Sequence, residues 1–245
     1  MMEIWYWLLI LFLLLYEPVY GYFDYQKFTA RVRLHPEERV RYYKKIMVAL
    51  WVPTLVIFGM VLMGPLTFVD IGVSGIQLDT QTLGPWFTYF ALGVGVVNFL
   101  ILIYYLVGSR VSEKLRNSFI QAQQRELEKS KFTDIMPVSK EDKKVWTYVS
   151  WTAGFTEEII YRGFLIYALT TLFPSLSIWI ILVLSAFVFG LAHTYQGVGN
   201  VVRTSLIGLF FAILYVGLGS ILPLIVLHFL IDYVGKIGDE EEKQG

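Results

Sequence analysis

Apolar residues in this chain form long runs separated by short polar stretches, which is the pattern of membrane-spanning helices. A helix that crosses a bilayer needs about 20 predominantly apolar residues. Seven runs come close to that length or exceed it, and they occupy residues 4–20, 46–66, 85–107, 146–172, 178–193, 205–218 and 221–234. The pattern therefore predicts an all-α protein, a polytopic transmembrane bundle of about seven spans.

The composition supports this class, because 56% of the 245 residues are hydrophobic and only 16% are charged. Such a chain leaves no room for a separate soluble core. We predict an N-terminal three-helix membrane region (1–108), a charged cytoplasmic connection (109–145), a four-helix membrane region (146–235) and an acidic cytoplasmic tail (236–245). Cysteine is absent, which excludes disulfides, thiolate metal sites and a cysteine nucleophile.

Lysine and arginine are divided unequally between the connections. The first connection contains Lys27, Arg31, Arg33, Arg39, Arg41, Lys44 and Lys45, and the third contains nine more between residues 110 and 144. Residues 64–83 and 163–202 contain none. Because basic residues favour the cytoplasmic side of a membrane, this pattern predicts an N-terminus outside the cell and a cytoplasmic C-terminus.

The third connection also carries apolar residues at helical spacing. They are Leu115, Phe119, Ile120 and Leu127. This spacing favours a helix that lies on the membrane surface or in the cytoplasm, and a solvated linker is the alternative.

Glu157, Glu158 and Arg162 lie inside the fourth predicted span. At about 1.5 Å per residue from the start of that span, Glu157 lies ~16 Å deep, near the middle of a ~30 Å hydrocarbon layer. Charged groups at that depth are costly and therefore indicate function. Glu158 and Arg162 are four residues apart and are predicted to form an ion pair. Glu157 has no cation nearby in the sequence and is the candidate for proton transfer.

Two histidines add further acid/base groups. His193 closes the fifth predicted span, and His228 precedes Asp232 by one helical turn in the seventh. We expect these side chains to meet Glu157 in one polar pocket. Taken singly, each has a structural alternative, such as a satisfied core histidine, an internal ion-pair brace or a hydrogen bond between helices.

Three segments carry a resemblance to a known family. Residues 156–165 (TEEIIYRGFL) resemble the EExxxR motif, residues 189–193 (FGLAH) the FxxxH motif and residues 228–232 (HFLID) the HxxxN/D motif of the CAAX protease and bacteriocin-processing family. That family of intramembrane proteases includes the Ras-converting CAAX protease. The resemblance covers residues 145–234.

The resemblance implies an intramembrane endopeptidase in which Glu157 is the general base and His193 helps to position or deprotonate water. Glu158 with Arg162 would shape the site. The implied substrate is a membrane-associated peptide or protein, including lipid-modified ones, and nothing favours nucleic acid. A proton- or ion-coupled transporter and a catalytically silent membrane scaffold are the alternatives.

In the same way, His228 and Asp232 would stabilise the oxyanion. Many family members have asparagine where this chain has Asp232, and a carboxyl group donates a hydrogen bond only when protonated. Asp232 could therefore orient His228 instead. The ligand types would also suit zinc, but the chain has no HExxH pair, and we favour water activation without a metal cofactor.

Overall fold

The computed structural model of the chain describes residues 2–64, 66–128 and 133–237, and it leaves side chains undescribed at residues 2 and 126–128. Most of the predicted acidic tail lies outside the described residues. Ten α-helices are described, α1 Met2–Leu15, α2 Tyr22–Val32, α3 Glu38–Leu62, α4 Pro85–Val111, α5 Glu113–Glu128, α6 Lys140–Glu157, α7 Ile166–Leu172, α8 Ile178–Leu191, α9 Val198–Leu218 and α10 Leu222–Val234. The described part contains no strand, so the all-α prediction is confirmed.

The number of spans is not confirmed. Four helical segments are long and apolar enough to cross a membrane, and these are Glu3–Val32, Glu38–Leu62, Pro85–Val111 and Val198–Leu218. Helices α8 and α10 are apolar but shorter. The predicted span 146–172 is a helix in three parts, with a π-helical segment, Glu158–Leu165, between α6 and α7.

The first helix extends beyond the predicted end of its span. A second π-helical segment, Tyr16–Gly21, joins α1 to α2, so the helix continues to Val32 instead of ending at residue 20. Lys27 therefore lies on a helix and not in a loop. The helix continues beyond the end of the apolar run because polar residues are compatible with helical structure once a helix leaves the apolar layer. The orientation of the termini stays a prediction.

Helix α5 confirms that the third connection is helical. Its Phe119 ring lies 4.9 Å from the Tyr105 ring of α4, and Ile120 is buried. The side chain of Leu127 lies outside the described part. The apolar face of α5 thus packs on α4, and its position relative to a membrane stays a prediction.

Small residues allow the helices around the EExxxR segment to touch. A Cβ atom on Gly154 of α6 would lie 2.8 Å from the backbone nitrogen of Phe229 in α10. A Cβ atom on Gly190 of α8 would lie 2.8 Å from the carbonyl oxygen of Val201 in α9. Glycine permits this backbone approach, as is typical of membrane helix pairs. The close packing of α6 on α10 brings residue 157 beside residue 228.

The connection between α3 and α4 covers one end of this bundle. The Ile221 amide donates to Gly72 O at 2.9 Å, and the Gln77 amide donates to Leu218 O at 2.8 Å. The backbone of Ile71 lies directly against Gly163. These contacts satisfy polar groups at the turn between α9 and α10 and close that end.

We predict that Gly154→Ala lowers the free energy of unfolding by about 1–3 kcal/mol, because the added methyl group would push α6 and α10 apart. Gly93→Ala is the matched control, since a Cβ atom on Gly93 meets no atom within 4 Å. We expect the control to be neutral or stabilising by up to about 1 kcal/mol. Chemical unfolding of the purified variants measures both, and equal stabilities would contradict the packing described.

Candidate active site

The two motif glutamates lie where the helix changes its geometry. Glu157 is the last residue of α6, and Glu158 begins the π-helical segment Glu158–Leu165, whose residues are all buried. Short π-helical segments within α-helices are frequent at functional sites. Regular α-helical faces were expected here from the sequence. The wider π turn changes the directions of the side chains but preserves the contact between Glu158 and Arg162.

The Glu158 carboxylate is fully buried and has two partners. Its Oε1 accepts a hydrogen bond from Nη1 of Arg162 at 3.1 Å and lies 2.6 Å from Nδ1 of His228. The predicted Glu158–Arg162 ion pair is therefore confirmed. The arginine also stacks on two rings, with Cζ 4.2 Å from the Phe189 centroid and 5.1 Å from the Phe211 centroid. Such stacking suits the planar guanidinium group.

His228 is the centre of the acidic cluster. Since a carboxylate oxygen can only accept, Nδ1 of His228 is the donor in its contact with Glu158. The second ring nitrogen, Nε2, lies 3.8 Å from Oε2 of Glu157 and 3.7 Å from Oδ2 of Asp232. The predicted side-by-side placement of His228 and Asp232 is observed. The histidine beside Glu157 is thus His228, from the last helix.

His193 lies beside the cluster without bonding to it. Its Nδ1 donates to Phe189 O at 2.9 Å, so in the neutral ring Nε2 carries the lone pair. The Phe189 ring centroid lies 5.0 Å from that of His193 and 6.4 Å from that of His228, so both imidazoles contact one phenyl ring. Among the described residues, His193 makes no hydrogen bond or ion pair with either glutamate.

A cavity of about 330 Å³ joins these groups. Glu157, Arg162, His193, His228 and Asp232 all line it. The lining residues extend along α6 from Glu157 to Trp146 and along α9 from Phe211 to Asn200. On α10 they extend from His228 to Gly235, the residue after the helix ends. At about 1.5 Å per residue, the cavity therefore runs ~16 Å from the acidic cluster toward the end of the bundle where α6 begins. The charge pattern predicts that this end is cytoplasmic.

Three buried polar atoms in the cluster have no hydrogen-bond partner among the described residues. They are Oε2 of Glu157, Oε2 of Glu158 and Nη2 of Arg162. Buried polar atoms are rarely left unsatisfied in proteins. Glu157 and Arg162 line the cavity, so their unpartnered atoms mark its inner end as a place for polar ligands such as water or a peptide group.

Several residues around the site were not predicted from the sequence. The Trp146 indole donates from Nε1 to Asp232 O at 2.8 Å and ties α6 to α10. Thr194 Oγ1 donates to Pro18 O at 2.9 Å and ties the residue after His193 to the first π-helical segment. Glu17, in that same segment, is a half-buried carboxylate in an apolar run. Only Glu17 had a visible signal, since the two hydrogen bonds join residues distant in sequence.

The acidic cluster is held together by direct contacts between its own side chains. Within residues 2–64, 66–128 and 133–237, no three His, Asp or Glu side chains are grouped as metal ligands. A metal ion bound by Glu158 and His228 would have to replace their 2.6 Å contact with each other. Metal-free water activation stays a proposal.

The fold and the cavity together define a helical membrane protein with acid/base groups inside its bundle. Residues 143–234 match the family model described as Rce1-like, Type II CAAX prenyl endopeptidase. All three motifs lie inside the matched segment, and the match supports the CAAX protease family assignment predicted from them. Together with the four helical segments that are long and apolar enough to cross a membrane, the match supports an integral membrane protein. No curated protein and no solved structure matches the chain.

We predict that Arg162→Met lowers the free energy of unfolding by about 3–5 kcal/mol, because it removes one of the two charge partners of a fully buried carboxylate. The control is Arg33→Met, which removes an ion pair with Asp134 at 3.1 Å in which the Arg33 side chain is 72% exposed. We expect that change to cost at most about 1 kcal/mol. Comparable losses in the two variants would show that the Glu158–Arg162 pair is not desolvated.

Proposed function

We propose that the protein is an intramembrane endopeptidase that hydrolyses a peptide bond of a membrane-associated substrate with water activated by Glu157. The observation that carries this proposal is the unequal use of the two glutamates. Oε1 of Glu158 is held by Arg162 and His228, whereas the Glu157 carboxylate lines the cavity and accepts no hydrogen bond from the described residues. Nε2 of His228 lies 3.8 Å from Oε2 of Glu157, beyond hydrogen-bond distance. A carboxylate that faces a cavity without a hydrogen-bond donor is suited to accept a proton from water.

The proposed reaction begins with water bound between Glu157 and the Nε2 atom of His193. Glu157 takes a proton as the water oxygen attacks the carbonyl carbon of the substrate, and the carbonyl oxygen becomes an oxyanion. The C–N bond then breaks, and the proton passes from Glu157 to the leaving amine. The glutamate thus acts first as general base and then as general acid, and it returns to its initial state.

His228 is assigned to the oxyanion. Nδ1 of His228 donates to Glu158, so Nε2 can donate to the substrate only when both ring nitrogens carry a proton. The neighbouring carboxylates of Glu158 and Asp232 favour this positively charged form of the ring. Asp232 orients the ring, which agrees with the 3.7 Å between its Oδ2 and Nε2 of His228. Fixed donors of this kind are most effective where bulk water is excluded. Glu158 with Arg162 holds His228 in place.

The proposed substrate is a membrane-associated peptide or protein, and the name of the matching family points to prenylated ones. The cavity extends toward one end of the bundle and is lined mainly by apolar side chains beyond the acidic cluster. It therefore suits an extended peptide that enters from that end. No observation in the described part of the chain favours the transporter or the scaffold over this proposal.

We predict that Glu157→Gln lowers the cleavage rate at least about 100-fold, because an amide cannot take the proton from water. The assay is site-specific cleavage of a prenylated peptide by the protein in liposomes, followed by mass spectrometry. The matched control is Glu17→Gln, which also removes a carboxylate from an apolar helix but lies outside the cavity. The control should cleave at the wild-type rate.

Two outcomes would contradict this mechanism. Equal cleavage by wild-type protein and Glu157→Gln would remove the glutamate from the reaction, and proton-coupled flux in the same liposomes would then support a transporter. Stoichiometric zinc in the purified protein, lost together with activity in Glu157→Ala, would replace the metal-free mechanism with a metal-dependent one.

A further inference from the structure

Arg203 lies on the wall of the cavity, away from the acidic cluster. The residues of α9 that line the cavity are Asn200, Arg203, Thr204, Ile207 and Phe211. Their spacing of three and four residues places them on one face of the helix. The same face therefore presents an arginine near the start of α9 and an aromatic ring at the level of the cluster.

Within the described residues, the guanidinium group of Arg203 makes no hydrogen bond or ion pair, although the residue lines the cavity. The other arginine that lines the cavity, Arg162, is bound to Glu158. Elsewhere, Arg39 is bound to Asp142 at 3.1 Å. Arg203 is exposed, so its guanidinium group is open to a bound molecule, and a carboxylate matches its planar fork with two parallel hydrogen bonds. The charge of Arg203 is thus available to an anionic group of a bound molecule.

The position of Arg203 sets the place of that anionic group. The Phe211 ring centroid lies 5.9 Å from that of His228, so Phe211 marks the level at which the peptide bond would be cut. Arg203 precedes Phe211 by eight residues, which is about 12 Å along the helix axis. An extended peptide advances about 3.3–3.6 Å per residue. The interval therefore corresponds to roughly three or four residues of substrate.

We propose that Arg203 is a specificity-determining residue that binds a carboxylate of the peptide substrate, about three or four residues from the scissile bond. This inference rests on the proposed function, since it places the scissile bond at the acidic cluster. A C-terminal carboxylate and an acidic side chain supply the same chemistry. Arg203 binds either one at that position, and a substrate with neither binds more weakly.

Binding to a hydrolysis-deficient protein tests the proposal without requiring turnover. The background is Glu157→Gln in nanodiscs of neutral phosphatidylcholine. The probes are three prenylated-cysteine peptides with three residues after the cysteine. One ends in a free carboxylate, one ends in an amide, and one ends in an amide with glutamate as its last residue. Fluorescence titration gives the Kd of each probe.

We expect the free-acid and glutamate peptides to bind about 10- to 100-fold more tightly than the neutral amide, as a charge-assisted hydrogen bond implies. Adding Arg203→Gln should remove that preference and leave the affinity for the neutral amide unchanged. Adding Arg110→Gln, which changes an exposed arginine outside the cavity, should leave the preference intact. If only the free acid is preferred, the bound group is the C-terminal carboxylate.

Three results would overturn the inference. The first is equal binding of all three probes, and the second is an Arg203→Gln variant that weakens all of them alike. The third is loss of the preference in nanodiscs that contain phosphatidylglycerol, because a lipid headgroup would then be the ligand of Arg203. Cleavage by the wild type separates the two proposals. Cleavage without a carboxylate preference refutes only the role of Arg203, and preferential binding without cleavage refutes only the protease mechanism.

Discussion

The buried carboxylate of Glu158, held by Arg162 from its own helix and by His228 from α10, is the interaction on which the site depends. A carboxylate removed from water costs several kcal/mol unless charged partners and hydrogen bonds compensate it. Here the compensation comes from two helices, so satisfying Glu158 also fixes α10 against the π-helical segment. That contact sets His228 beside Glu157, whose own carboxylate remains directed into the cavity.

Close backbone packing makes this contact geometrically feasible. Gly154 lets α6 approach α10, and Gly190 lets α8 approach α9, so the site sits inside a tight bundle with little freedom to relax. The connection between α3 and α4 caps one end of that bundle, while the cavity extends toward the other. A polar cluster at the closed end of a mainly apolar cavity limits the water around the reacting groups. Under the proposed mechanism, that limitation strengthens every hydrogen bond to the oxyanion.

The sequence predicted the features that depend on local spacing. The long apolar runs indicated a helical membrane protein, and the interval of four residues indicated the Glu158–Arg162 pair. The π-helical turn had no such signal, because it results from packing against distant segments. Contacts between residues that are distant in the sequence had no such signal either. The sequence predicted one pocket for both histidines, and the structure shows that His228 lies 3.8 Å from Glu157. Glu17 had a signal in the sequence, because it is a carboxylate within an apolar run, but it lies outside the three motifs from which the site was predicted.

The most direct test of this account is a double-mutant cycle between Glu158→Gln and His228→Asn, measured as the free energy of unfolding in bicelles. Residues in direct contact usually show coupling energies of about 0.5–3 kcal/mol, and distant ones add within about 0.5 kcal/mol. Because this contact joins a buried carboxylate to an imidazole on another helix, the account predicts a coupling of at least about 1 kcal/mol. Additive effects of the two substitutions would show that the helices do not meet at Glu158.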